Sequence, residues 1–274
     1  EAIKSSYALV VRELRVNDLP EVFAGIPYQE SRYKGELTSA ACAKGFWQFM
    51  PETAFRVGRR SGKSFVVKDC ALRGKGSYRF TPTKEAPPRK WRTAEYIGTN
   101  AGGDAECLIT SCAVDDRMDL QKSTRAAVYA LKEAFLDREL RQSGAVTQLT
   151  ILSHNVGYDD SRFGISKGYN VLPAYRKFMK GKSPQDGAHF YGNQLKCESN
   201  HSKSWCGSYF PPEGQHYVHQ IVGQHFLAVC YYAKNYANMP EFKDWTRFLG
   251  DGNFCDEMAI PTAQEVRNYR GRKG

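Results

Sequence analysis

Two neighbouring stretches decide how this sequence is interpreted: Pro27-Tyr28-Gln29-Glu30-Ser31 and Gly45-Phe46-Trp47-Gln48-Phe49-Met50-Pro51-Glu52-Thr53-Ala54. The carboxylate of Glu30 ends an apolar run made of Leu19, Val22, Phe23 and Ile26. A glutamic acid held against apolar side chains is poorly hydrated when ionised, which raises its pKa. Glu30 is therefore a candidate general acid, the kind of group that protonates the leaving oxygen when an acetal bond breaks.

Three further motifs follow in order along the chain. They are Asp116-Arg117-Met118-Asp119-Leu120-Gln121-Lys122-Ser123-Thr124-Arg125-Ala126-Ala127, Ser153-His154-Asn155-Val156-Gly157 and Glu213-Gly214-Gln215-His216-Tyr217-Val218. With the first two stretches they resemble the catalytic core of lytic transglycosylases of glycoside hydrolase family 23, most closely the group of membrane-bound lytic transglycosylase D. The resemblance covers residues 15–55, 113–160 and 208–235. Glu-Ser alone would carry no weight, whereas five motifs in the right order are specific.

The resemblance implies a mainly α fold, a lysozyme-like (α+β) helical core with a long, cysteine-containing loop and β insertion. Residues 1–55 and 113–236 would form the catalytic core. Residues 56–112 would be an insertion that lines or flanks the glycan groove, with a solvated decoration as the alternative. Residues 237–274 would be a C-terminal extension that packs on the core.

Hydrophobic spacing supports this division. Apolar residues at helical spacing predict helices over Tyr7–Leu14, Leu19–Ser31 with a kink at Pro27, Ser123–Glu139 with Asp119 or Ser123 as its cap, Thr147–Ser153 and Glu213–Tyr236. The pattern fails between Arg56 and Glu106, where Ser64–Val67 and Ser77–Thr81 resemble short strands. Asp116, Arg117 and Asp119 are interpreted as a structural ion-pair and capping cluster.

The resemblance also implies a mechanism. Glu30 would protonate the oxygen between N-acetylmuramic acid and N-acetylglucosamine in peptidoglycan. It would then act as base on the muramyl 6-hydroxyl, giving a 1,6-anhydro product without consuming water. A lysozyme-type hydrolase is the alternative enzyme, and a non-catalytic wall-binding protein is the alternative of another class.

The substrate-binding residues implied by the resemblance are Ser31, Trp47, Gln48, His154, Asn155 and Tyr217. Trp47 would offer a flat face to a sugar ring, and Gln48 would donate hydrogen bonds to the glycan. Asn155 would orient the acid or the substrate, and the Tyr217 hydroxyl would bond Glu30. Ser31 could bond either the substrate or its own helix backbone.

His154 departs from the family, which has tyrosine at this position. An imidazole differs from a phenol in shape, donor pattern and response to pH, so the sequence leaves a modified glycan, for example a de-N-acetylated one, as an alternative substrate. A sugar without its acetyl group cannot assist its own cleavage, and a second carboxylate would then be needed. Asp159 and Asp160 are candidates for that role, although loop-solvating acids are the favoured interpretation.

The eight cysteines are an even set without a Cys-x-x-Cys pair: Cys42, Cys70, Cys107, Cys112, Cys197, Cys206, Cys230 and Cys255. Disulfides in an oxidising compartment are favoured over buried free thiols, because several of these cysteines lie in polar, loop-like segments. Spacing singles out only Cys197–Cys206 as a candidate pair.

The formal net charge is +10, which attracts polyanions without identifying which one. No nucleic-acid module accompanies the charge, and the motif resemblance, rather than the charge, implies peptidoglycan glycan strands as the partner. No run of eighteen apolar residues exists, which predicts no transmembrane segment. We expect a monomer in the periplasm or outside the cell, with no cofactor and no metal site.

Overall fold

The computed structural model describes residues 2–62, 65–82, 96–159, 170–187, 190, 212–249, 255 and 260–265. Within them the α-helices are α1 (Ala2–Arg15), α2 (Gly25–Ser31), α3 (Pro51–Ser61), α4 (Leu120–Phe135), α5 (Arg138–Gln142), α6 (Val146–Val156), α7 (Val171–Met179) and α8 (Pro212–Tyr236). Short 3-10 helices cover Glu21–Ala24, Asp116–Met118, Pro184–Gly187 and Lys243–Phe248. The strands are β1 (Val67–Leu72), β2 (Arg79–Phe80), β3 (Ile97–Thr99), β4 (Ala105–Cys107) and β5 (Ile109–Asp115).

The helical core is organised around α4 and α8. The apolar faces of α1, α3 and α6 pack on α4, while α8 packs on α2 and α6. The contact between α2 and α8 is close because residue 25 is glycine: a Cβ atom there would lie 2.8 Å from the Ile221 carbonyl oxygen. The site-bearing helices α2, α6 and α8 therefore share one edge of the core.

All five described strands lie in the segment between α3 and α4. The first sheet has the antiparallel order β2-β1-β5, and β3 pairs with β4 in a separate antiparallel ribbon. Disulfide Cys70–Cys112 links the facing residues of β1 and β5. Disulfide Cys42–Cys107 joins this insertion to the loop after α2, so the insertion is covalently held against the core.

The predicted helices are present, with shifted bounds. The expected kinked helix over 19–31 is instead a 3-10 helix over Glu21–Ala24 that continues as α2. Pro27 lies in the first turn of α2, where a missing N–H costs no intrahelical hydrogen bond, so it causes no kink. Of the two proposed caps for α4, Asp119 is the one whose side chain accepts a hydrogen bond, from the Lys122 N–H.

Disulfides, rather than free thiols, are confirmed for six of the cysteines, the third bond being Cys230–Cys255. The predicted Cys197–Cys206 pair lies outside the described residues. After α8, Phe242 and Trp245 are buried, whereas Phe248 is exposed. The fold is thus mainly α and lysozyme-like, with a disulfide-held β insertion.

None of the helices within these described ranges combines the length and the apolar character that a membrane crossing requires. The core contains a buried polar pair. His225 of α8 is buried, and its Nδ1 lies 2.8 Å from the Tyr7 hydroxyl of α1. Burial lowers the pKa of His225 from 6.5 to about 4, and the charge of Glu21 opposes only part of this shift.

His225 should therefore make the fold sensitive to acid. The unfolded chain takes up its proton near pH 6.5, whereas the folded chain does so only near pH 4. The contribution of neutral His225 is complete above pH 6.5, and it is lost as the pH falls towards 4, by about 3 kcal/mol. Urea unfolding of wild type and His225→Gln at pH 7 and pH 4.5 measures this. The variant should lose the extra acid sensitivity, and His219→Gln, which changes an exposed histidine of the same helix, should keep it.

Candidate active site

Glu30 lies in the last turn of α2, and the residues after it fix its position. Arg32 and Tyr33 adopt left-handed backbone conformations with φ of 52° and 59°, which ends the helix directly behind the carboxylate. The buried hydroxyl of Ser31 lies 2.9 Å from the Phe46 carbonyl oxygen and 3.1 Å from that of Pro27. Ser31 thus ties the helix end to the following turn, which favours its backbone role over substrate contact.

The turn over residues 45–49 is built around a buried guanidinium. Arg117 is 1% exposed, and its Nη1 donates to the carbonyl oxygens of Cys42 and Phe49 at 2.8 and 3.1 Å. Its Nε and Nη2 form a two-pronged ion pair with Asp115. Gly45 packs against this arginine so closely that a Cβ atom would lie 1.8 Å from the Arg117 carbonyl oxygen. The structural role expected of Arg117 is observed, with Asp115 as its partner.

Trp47 and Gln48 are structural parts of this turn. Trp47 is fully buried, and its indole N–H donates to the Thr124 hydroxyl at 3.1 Å, so the predicted stacking face is not exposed to a sugar. Gln48 has a φ of 46°, and its amide nitrogen donates to the carbonyl oxygens of Leu37 and Gly45, both at 2.9 Å. Both amide hydrogens are used within the turn, so the predicted donation to a glycan finds no free hydrogen.

Tyr217 reaches Glu30 from α8. Its hydroxyl donates a short hydrogen bond to Glu30 Oε1, the contact expected from the sequence. Burial raises the pKa of Tyr217 well above 10, and the neighbouring charge and hydrogen bond of Glu30 raise it further. Tyr217 therefore remains a protonated donor at physiological pH and holds one carboxyl oxygen of Glu30 in place.

His154 lies behind the carboxylate, on α6. Its Nε2 is 2.9 Å from the Trp47 carbonyl oxygen, which can only accept, so this nitrogen carries the proton. The same nitrogen is 4.0 Å from Glu30 Oε1, too far for a hydrogen bond. The imidazole packs edge-on against the rings of Trp47 and Phe49 and is 9% exposed. His154 thus connects α6 to the turn and borders the site from behind.

A cavity of about 380 Å³ opens beside Glu30. Its lining residues come from α2, α6 and α8 and are Gln29, Glu30, Asn155, His216, Tyr217 and Gln220. The Glu30 side chain is 19% exposed, which places its carboxyl in the wall of the cavity and not on the open surface. Among the described lining residues Glu30 is the only carboxylate. The cavity therefore combines one acid with amide, imidazole and phenol groups, all able to hydrogen-bond a polyhydroxylated ligand.

The structure brings three of the predicted site residues, Glu30, Asn155 and Tyr217, to this cavity. Sequence reasoning missed Gln29, His216 and Gln220. Gln220 could have been found from its helical spacing to Tyr217, since residues three apart share a helix face. Of the alternative carboxylates, Asp159 is buried and does not line the cavity, and Asp160 lies outside the described residues. Across the described residues, the insertion contributes no lining side chain.

No set of three His, Cys, Asp or Glu side chains in the described part of the chain could hold a metal ion.

Comparison with known families gives one match. Residues 10–71 match the model of the Transglycosylase SLT domain, a stretch that contains Glu30 and the turn after it. Residues 10–71 are therefore similar to the SLT domain of lytic transglycosylases, and they lie in a fold that is lysozyme-like. The match supports, in general terms, lytic transglycosylase activity on peptidoglycan. It stops before α6 and α8, which carry Asn155 and Tyr217. A comparison with curated proteins found no match.

Removing the Tyr217 hydroxyl should loosen the Glu30 carboxyl. Leaving a partly buried acceptor without its donor costs about 1–3 kcal/mol, so Tyr217→Phe should slow release of soluble fragments from purified peptidoglycan about 5- to 100-fold. Tyr232→Phe is the matched control, because it removes a hydroxyl from the same helix at a ring stacked on Phe242, away from the cavity. Equal rates for the two variants would contradict a role for the Tyr217–Glu30 contact.

Proposed function

We propose that this protein cleaves the β-1,4 bond between N-acetylmuramic acid and N-acetylglucosamine in peptidoglycan by lytic transglycosylation, with Glu30 as general acid and then general base. The single observation that carries the proposal is the Glu30 carboxyl in the cavity wall, with one oxygen held by the Tyr217 hydroxyl. The family match over residues 10–71 supports the same reaction class.

The hydrogen bonds of Glu30 determine which oxygen would act. Oε1 accepts from Tyr217, and Oε2 has no hydrogen-bond partner among the described residues. In a protonated carboxyl group the oxygen that accepts a hydrogen bond is the carbonyl oxygen, and the proton sits on the other. The proton would therefore be carried by Oε2, from which it can pass to the bridging oxygen of the glycan.

Cleavage of the bond between C1 and the bridging oxygen would leave positive charge at C1. Two-carboxylate glycosidases have a second acid, roughly 5–10 Å from the first. It either stabilises this charge or activates a water molecule. Among the described lining residues no second carboxylate accompanies Glu30. In lytic transglycosylation the acetamido group of the muramyl sugar would assist at C1 in place of a protein nucleophile.

The second half of the reaction would use the same carboxylate. After losing its proton from Oε2, Glu30 would accept one from the muramyl 6-hydroxyl, whose oxygen attacks C1. The new C1–O6 bond closes the 1,6-anhydro ring and releases the acetamido group unchanged. Glu30 is again protonated, and no water is consumed, so the atoms balance over one turnover.

Replacing the acid tests its role directly. Glu30→Gln keeps an acceptor for Tyr217 but removes the exchangeable proton, so turnover should fall by at least about 10²–10⁴-fold while the melting temperature stays nearly unchanged. Glu36→Gln changes an exposed glutamate a few residues along the chain and should retain full activity. A fully active Glu30→Gln protein would remove Glu30 from the mechanism.

The products distinguish the competing reactions. We expect mass spectrometry of digested sacculi to show anhydromuropeptides, whose mass is one water lower than that of the reducing-end products of a lysozyme. Reducing ends would instead indicate the hydrolase alternative. Binding to sacculi without soluble products would indicate a wall-binding protein. Parallel digestion of native and chemically N-acetylated sacculi determines whether the acetyl group is required.

The envelope is where this substrate occurs, so a periplasmic or secreted location belongs to the same proposal. The three disulfides are compatible with an oxidising compartment of that kind.

A further inference from the structure

Three glutamine side chains form a chain of hydrogen bonds between α2 and α8. Gln224 Nε2 donates to Gln29 Oε1 at 2.7 Å, and Gln29 Nε2 donates to Gln220 Oε1 at 2.9 Å. Gln220 and Gln224 are four residues apart, so they lie on the same face of α8 and hold Gln29 between them. We call these three residues the amide chain. Its middle member Gln29 and one end member, Gln220, line the cavity beside Glu30, whereas Gln224 does not.

The amide chain has a direction. Because Gln29 accepts through its oxygen from Gln224, its nitrogen must turn towards Gln220. Gln220 then accepts through its own oxygen and keeps its NH₂ group for the cavity. Within the described residues, Gln220 Nε2 has no acceptor, so both of its hydrogens remain for a ligand.

The opposite direction of the amide chain has a higher free energy. With all three amides turned over, Gln220 would present its oxygen to the cavity, and Gln224 would place its NH₂ group where its oxygen now lies. That position is buried, and the oxygen there has no partner among the described residues. A buried carbonyl-type oxygen without a partner is tolerated better than a buried N–H without one. The far end of the chain, at Gln224, therefore sets the polarity that Gln220 shows to the cavity.

We propose that Gln220 is a specificity-determining residue that donates a hydrogen bond to an amide carbonyl oxygen of the glycan, and that Gln224 fixes this donor polarity through Gln29. The inference rests on the proposed function and deepens it. A cavity wall that presents a hydrogen-bond donor can bind a carbonyl oxygen. It leaves an ammonium group unpaired, because the wall and the ammonium group are both donors. Where the recognised carbonyl is that of a sugar acetamido group, the protein should discriminate against de-N-acetylated sugars. The carbonyl can belong to a sugar acetamido group or to the stem peptide.

The test compares soluble glycans of one length in four forms: N-acetylated or de-N-acetylated, each with or without stem peptides. Cleavage rates of the full chain and equilibrium binding to its Glu30→Gln variant are measured at pH 7.5. Loss of the recognised carbonyl should weaken binding to the chain about tenfold, the effect of one hydrogen bond. Gln220→Leu should bind the preferred glycan about tenfold more weakly and lose the discrimination.

Gln224→Glu is the decisive variant because it acts from outside the cavity. A carboxylate can only accept, so Gln29 must turn over to donate to it, and Gln220 must then donate to Gln29 and present its oxygen. The preference for the carbonyl-bearing glycan should shrink about tenfold or reverse. Gln224→Met is the matched control, because methionine has a similar length. It removes the donor to Gln29 without imposing the opposite direction on the amide chain. The preference of this variant for the carbonyl-bearing glycan should therefore lie between those of wild type and Gln224→Glu.

The outcomes separate the two proposals. Discrimination in binding without cleavage would overturn the proposed reaction and leave the amide chain as the specificity determinant of a glycan-binding protein. The role of the amide chain would be overturned if wild type, Gln220→Leu and Gln224→Glu all cleaved with the same preference. This holds provided that Gln224→Glu keeps the melting temperature of wild type. An effect seen only on removal of stem peptides would support the donor role and identify the peptide carbonyl as its acceptor.

Discussion

The close approach of α2 and α8 is the constraint on which the site depends. At residue 25 the two helices leave no room for a Cβ atom, which would lie 2.8 Å from the Ile221 carbonyl oxygen. Only this separation allows the Tyr217 hydroxyl to reach Glu30 and Gln29 to fit between two glutamines of α8. One packing contact thus positions both the reacting carboxyl group and the polar wall beside it.

A second constraint holds the turn behind the carboxylate. The buried Arg117 donates hydrogen bonds to Asp115 and to two carbonyl oxygens of the Cys42–Phe49 segment. A buried guanidinium is costly unless its hydrogen bonds are all made, so the turn and the arginine stabilise each other. The carbonyl of Trp47 within that turn then accepts from His154. Trp47, Gln48 and His154, which the motifs assign to substrate binding, therefore make the contacts that hold this turn.

This explains which of the predicted site residues line the cavity and which do not. The motif identified Glu30, Asn155 and Tyr217, and these line the cavity. Trp47 and Gln48 carry the same motif, yet the first is buried and the second uses its amide hydrogens within the turn. A motif records which residue types occur together, whereas the direction of each side chain depends on φ values and contacts such as those at Gly45 and Arg117.

The sequence by itself determined the helical core, the position of the β insertion, the candidate acid and the preference for disulfides, because these follow from hydrophobic spacing, composition and local motifs. Only the tertiary structure decided the pairing of Cys42 with Cys107, of Cys70 with Cys112 and of Cys230 with Cys255. It also revealed Gln220 and the direction of the amide chain. Both depend on distances between segments far apart in the chain, which no local pattern of residues encodes.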